Sequence, residues 1–217
     1  MKLNISNLFT AILVMCALLI TSLVMIQFFS KKDFNDSIVD REVDSWEEIS
    51  TLSYRKGIAS APIQIIEFFD YSCPYCKEAD PILNKIAKKY KDQISIVYNH
   101  FPQDEFSSTF KAAVASECAA KQGKFLDYHN LLFANQENLE DLSFDNLAIK
   151  AKIQDISLFK ECCESNEAKN IVLESMSIAD NLEIGGVPTF LINDKIVPGV
   201  RSESEFSNLI EELLKKE

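Results

Sequence analysis

The sequence predicts an α/β fold in which a βαβ unit opens the domain, a ββα unit closes it, and a helical block is inserted between them. Three observations predict this. Pro62 to Asp70 is a near-continuous run of β-branched and aromatic residues, as a buried strand requires. Behind it the pattern turns helical, with Ala79, Ile82, Leu83, Ile86, Ala87 and Tyr90 on one face. Strand patterning returns only late, as Thr189 to Ile192 and Lys195 to Val197 joined by an Asn193-Asp194 turn.

Taken in order, Leu8 to Phe29 is an uncharged apolar run, and crossing the hydrocarbon takes about 20 such residues. We expect an N-terminal transmembrane helix within residues 1–30, acting as an uncleaved single-pass anchor. A cleaved signal is the alternative, but its apolar core is only about 7–15 residues and ends in small residues. Here the run ends Ile26-Gln27-Phe28-Phe29-Ser30, and Cys16 follows Leu13-Val14-Met15, unlike a lipoprotein signal. Lys2 on one side and Lys31-Lys32 on the other leave orientation open. Residues 31–60 are acidic and read as a tether, with a short helix or strand around Val43–Tyr54 and Trp46 docking it on the domain.

The domain proper is expected over 61–102 and 183–217, with 103–182 as the helical insertion. Ile94 to Phe101 is the second strand, and Pro81 should kink the first helix. In the insertion, Phe110, Ala113, Val114 and Cys118 form one face, with Glu117 breaking it and expected at its edge. Gly123 stops that helix, and Phe125, His129, Leu132 and Phe133 form the next face. Ser143 is an N-cap candidate; helices follow near 156–165 and 167–182, and Ser204 to Lys215 is a final amphipathic helix.

The net charge of -11 excludes a basic nucleic-acid footprint and a polybasic membrane patch. Six cysteines in 217 residues are too few for a disulfide-dense scaffold, so their placement has to speak. Cys73-Pro74-Tyr75-Cys76 sits where the first strand turns into a helix. Free N–H groups and the helix dipole there stabilise negative charge, so Cys73 becomes a nucleophilic thiolate and a good leaving group. Pro74 fits the first helical position, where its missing N–H costs nothing. Cys76, one turn deeper, is the resolving partner. Zinc would need four ligands, and Cys118, Cys162, Cys163, His100 and His129 lack ligand spacing. A purely structural bond across so small a loop would gain little. Redox chemistry without metal or cofactor is the remaining reading. Glu67 is a charge inside an apolar strand; it is either solvated at an edge or buried with a raised pKa. Cys118 shares a face with Val114, and Cys162 with Phe159, so both point inward. His129 reads as a core histidine, and His100 has no distinguishing feature.

Cys-Pro-Tyr-Cys after an apolar strand, together with Val187-Pro188-Thr189-Phe190 before a late hairpin, resembles the thioredoxin superfamily. The intervening helices resemble its DsbA-like branch, over roughly residues 60–217. The resemblance implies a thioredoxin fold and a thiol:disulfide oxidoreductase. It implies that Pro188 is cis beside the sulfurs and that the Val187 backbone receives an extended substrate peptide. It implies that Glu67 lies beneath the site and helps protons reach Cys76. Some DsbA-like proteins carry a second, structural disulfide in the helical block, and Cys118–Cys162 is similar; two free thiols, or Cys163 in place of Cys162, are the alternatives. The implied partners are reduced, unfolded exported proteins and a quinone-linked membrane reoxidase of the DsbB or VKOR-like kind, served by a monomer on the extracytoplasmic, periplasmic side. A disulfide isomerase or reductase, or a non-catalytic thioredoxin-fold binder, are the other readings. The dimerisation domain of dimeric isomerases does not fit into residues 31–60. The histidine between the cysteines of the strongest oxidases is absent here.

Overall fold

The computed structural model describes residues 12–25, Val43, Ile49 and 53–216. It divides into two units, Met1–Ile38 and Val39–Glu217. In the first, residues 12–25 are helical and their apolar side chains are exposed. Among the described residues no helix is long and apolar enough to cross a membrane. The ends of the expected anchor, and Trp46, lie outside the described residues.

The second unit is built on a five-stranded sheet in the order β1-β3-β2-β4-β5. These are β1 (Arg55–Lys56), β2 (Ile63–Phe69), β3 (Ile94–His100), β4 (Thr189–Ile192) and β5 (Lys195–Pro198). β2 and β3 run parallel; β1, β4 and β5 are antiparallel to their neighbours. The sheet thus reaches back to Arg55, inside the stretch read as tether. Gly57 makes that possible: its φ is +105°, and a Cβ there would stand 2.8 Å from the Ile94 carbonyl oxygen. Every residue of β2 and β3 is buried, as in a strand covered on both faces.

From Pro74 onward the strands are interleaved with α1 (Pro74–Tyr90), α2 (Ser108–Ala120), α3 (Phe125–Ala134), α4 (Phe144–Lys150), α5 (Ile156–Glu164), α6 (Asn166–Asn181) and α7 (Glu203–Leu213). Directly paired residues share a face, so the register sets Glu67 between Tyr98 and Phe190. Phe190 packs edge-on against Phe206 of α7 at 5.0 Å, and Tyr90 of α1 bonds Glu211 of α7. The opposite face, with Ile66, Phe68, Val97 and Leu191, packs on Ala179 of α6 and on Val43. α1 runs on through Pro81 to Tyr90 as one helix. α2 is buried on nearly all sides and forms the centre of the helical block.

Local signals place the ends of these helices. Ser107, Ser143, Asp155 and Ser165 each accept a backbone N–H as N-caps, and Ser202 closes a capping box with Glu205. Asn193, at φ 51°, makes the two-residue turn between β4 and β5. Glu117 is not at an edge. It is 5% exposed, and its Oε1 lies 2.9 Å from Nε2 of His100, because β3 ends against α2 and a buried carboxylate requires a partner.

Candidate active site

The turn between β2 and α1 is built locally. Asp70 Oδ1 accepts from both the N–H and the hydroxyl of Ser72 at 2.5 Å, and the Cys73 N–H donates to the Asp70 carbonyl at 3.1 Å. Cys73 is the extended N-cap of α1 and Pro74 its first residue. Cys73 is half-buried, Cys76 fully buried, and both are thiols. Tyr75 between them is 62% exposed.

Across from the cysteines, the Val187-Pro188 peptide is cis. The Cys73 thiol donates to the Val187 carbonyl at 3.4 Å. The loop is pinned on both flanks: Gly199 N–H donates to the Pro188 carbonyl at 2.8 Å, and the Thr189 hydroxyl to the Gly186 carbonyl at 2.7 Å. Residues 73–76 and 187–188, more than 100 positions apart in the sequence, therefore meet where the C-terminal end of β2 adjoins the N-terminal end of β4.

Beneath them, burial pushes the Cys76 thiol far up, and the nearby Glu67 carboxylate adds to it. Glu67 is itself 1% exposed in the central strand. Burial, then the charge of Asp80, drives its carboxyl well above the usual range. The solvated alternative for Glu67 is thereby excluded.

Four side chains at the site, Gln136, Tyr71, Asp80 and Asn84, escaped the sequence reading. Gln136, from the short turn Gln136–Asn138 of the helical block, donates to the carbonyls of Tyr71 at 2.7 Å and Cys73 at 2.8 Å. No local signal marks it, since only tertiary packing brings that turn to the cysteines. Tyr71 Oη lies 3.0 Å from His129 Nδ1, and His129 Nε2 lies 3.3 Å from Asp80 Oδ1. Asn84 Nδ2 donates to Asp80 Oδ2 at 3.0 Å. The helical spacing of Cys76, Asp80 and Asn84 was the available signal.

The helical block holds a disulfide between Cys118 of α2 and Cys162 of α5, with Cα atoms 5.7 Å apart. Cys163 stays free; burial, with Asp145 and Glu164 nearby, pushes its thiol up to about 12. Among the described residues, no group of three or more His, Cys, Asp and Glu side chains gathers as a metal site.

Residues 52–212 match the family model for thioredoxin. The chain belongs to the thioredoxin family. Wolbachia pipientis alpha-DsbA1 is 25% identical, superposes with a TM-score of 0.67, and is covered over 96% of its chain by 78% of this one. The "Probable disulfide bond formation protein D" of Bacillus cereus is 26% identical over 173 residues, which are 74% of this chain and 80% of that protein. The likeness within the thioredoxin family is thus to its DsbA-like branch. Na(+)/H(+) antiporter NhaA 3 of Salinispora tropica is 30% identical over 141 residues, or 64% of this chain and 21% of the antiporter. The chain thus spans about a fifth of the length of the antiporters it matches.

Proposed function

We propose that this protein is an extracytoplasmic thiol:disulfide oxidoreductase that introduces disulfide bonds into exported proteins. One observation carries the reading: two thiols of opposite character stand at one helix end. Cys73 is partly exposed against the Val187 carbonyl, while Cys76 is sealed below it beside Glu67.

The reaction starts from the Cys73–Cys76 disulfide. A client thiolate attacks Sγ of Cys73, the Cys73–Cys76 bond breaks, and Cys76 leaves with the electron pair. Glu67, kept protonated by burial, gives its proton to the Cys76 sulfur. A second client thiolate then attacks the client sulfur of the mixed disulfide, and Cys73 leaves as a thiolate. The N-terminus of α1 stabilises that charge, which favours the reduced protein and makes its oxidised form the stronger oxidant. The client gains one S–S bond and two electrons pass to the protein, which ends as the Cys73 thiolate and the Cys76 thiol; the client's two thiol protons go to solvent, and one proton returns to Glu67. The Val187-Pro188 backbone takes the extended client segment, and the exposed Tyr75 ring borders it.

The surroundings follow from this chemistry. The Cys118–Cys162 disulfide supports an oxidising compartment. The Leu8 to Phe29 run serves as the anchor, with the catalytic domain on the outer side, and a quinone-linked membrane protein restores the disulfide. The chain works as a monomer and binds no nucleic acid.

The test is the reduction potential of the Cys73–Cys76 couple, measured on the full chain in detergent micelles equilibrated with glutathione. A value towards about -120 mV is expected for a dithiol oxidase. A value near about -270 mV, as in thioredoxin, would remove the oxidase direction and leave a reductase or isomerase.

A further inference from the structure

Each turnover puts a proton on the Cys76 sulfur or takes one away, yet Cys76 is 0% exposed and Glu67 only 1%. The proton therefore needs a way past two sealed groups. Asp80 lies one helical turn beyond Cys76 on α1, and the i, i+4 spacing brings their Cβ atoms to about 5–6 Å. Its charge acts on Glu67, and its side chain keeps 15% of its exposure. It thus borders both the sealed pair and the solvent.

The carboxylate of Asp80 is held at both oxygens. Oδ2 accepts from Asn84 Nδ2 at 3.0 Å, and Asn84 Oδ1 in turn accepts from Lys56 Nζ at 2.6 Å. Oδ1 accepts from His129 Nε2 at 3.3 Å. A carboxylate only accepts, so Nε2 of His129 carries the hydrogen. Burial keeps the ring neutral, so Nδ1 is an acceptor and Tyr71 donates its O–H to it at 3.0 Å. Tyr71 stands two residues before Cys73, which ties the cluster to the active-site turn. The charged and titratable groups around His129 are Tyr71 from the turn, Asp80 from α1, His100 from β3 and Lys56 from β1. Glu117 of α2 and Tyr128 of α3 act on Tyr71.

We propose that Asp80 carries the Cys76 proton between the buried Glu67 and water, and that His129, held by Tyr71, is the positioning residue for its carboxylate. When Cys76 leaves as a thiolate, Glu67 protonates it and is reprotonated from solvent through Asp80. When Cys76 attacks a mixed disulfide, Glu67 gives its own proton through Asp80 to water as it takes the Cys76 proton, while the Cys73–client bond breaks and the client leaves as a thiolate. The proposal rests on the oxidoreductase reading given above.

The test uses the full chain carrying glutathione as a mixed disulfide on Cys73. The readout is the rate at which Cys76 closes the ring and releases glutathione, followed across the pH range. Asp80→Asn is expected to slow closure at pH 7 by about tenfold or more and to flatten its pH profile. Asp80→Glu is expected to restore closure to within about threefold of wild type, and His129→Gln to give an intermediate loss. Alkylation of the reduced Cys73 thiol should change by less than about threefold in all three. Closure in Asp80→Asn within about twofold of wild type overturns the proposal. So does an equal slowing of Cys73 alkylation, which marks a structural lesion. Wild type supplies a readout that needs no substitution. Closure is expected to be independent of imidazole concentration, and acceleration by added imidazole overturns the internal route. If wild-type Cys73 does not exchange with glutathione at all, the oxidoreductase reading itself fails.

Discussion

The two cysteine pairs are the same chemical element in opposite settings. Cys73 and Cys76 share a helix end, one sulfur partly open and the other sealed above a buried acid. Cys118 and Cys162 lie 44 residues apart on two packed helices, and the bond between them staples α2 to α5. The first pair would close so small a loop that its bond restrains little, and in the proposed function its surroundings govern proton and electron traffic. The second closes a long loop, and its value is mechanical. Cys163 shows the third outcome. One residue from the staple, it faces away into a hollow of about 430 Å³ lined by Phe110, Val114 and Phe144. Burial and acidic neighbours raise its thiol and keep it a poor nucleophile. Environment, and not residue type, divides these cysteines into a partly open thiol above a sealed one, a disulfide, and a half-buried free thiol.

The division is broken most directly at the nucleophile. Cys73→Ser should lower dithiol oxidation by about a thousandfold or more, whereas Cys163→Ser should stay within about twofold in the same assay. Similar losses in both would erase the distinction. The staple comes next. Replacing Cys118 and Cys162 together by Ser should cost about 3 kcal/mol of unfolding free energy, read as a lower denaturant midpoint. Exchange per folded molecule should be unchanged. A stability change below about 0.5 kcal/mol would show that the bond restrains nothing.

Glu67 sharpens the comparison from below the site, with the smallest effect on stability. Its carboxyl holds a proton in the folded chain at pH values where the unfolded chain, at about 4.5, has lost it. Folding then takes up a proton, so wild-type stability falls as pH rises above that value towards the folded one. Glu67→Gln removes this fall, and the variant should gain on wild type with rising pH in urea denaturation series. The Cys76-dependent step should slow by about tenfold. Parallel pH profiles for the two proteins would mean a solvated Glu67.

Much of the fold was legible because it is locally encoded. The apolar run of β2, the helical spacing of α1 and the serine N-cap of α4 act over a few residues, so local pattern alone reveals them. Glu67 was also legible, since a charge inside an apolar strand is locally anomalous. Glu117 misled for the converse reason. Its helix position is that of a stripe edge, and its partner His100 comes from another element 17 residues away. The short strand β1 escaped because two residues carry no period; Gly57 fitting against Ile94 decides it.

By itself the sequence determined the order of elements, the placing of Cys73 and Cys76 at a strand-to-helix turn, and the resemblance carried by Val187-Pro188. These depend on neighbours along the chain: a strand-to-helix turn presents free N–H groups wherever it occurs. Tertiary structure alone decided which distant groups would meet. It brought Gln136 onto the Cys73 carbonyl, chose Cys162 over Cys163 for Cys118, and joined Tyr71, His129 and Asp80 under one site. The physical reason is burial. A polar group taken from water must find a partner, and in a packed interior that partner comes from another element.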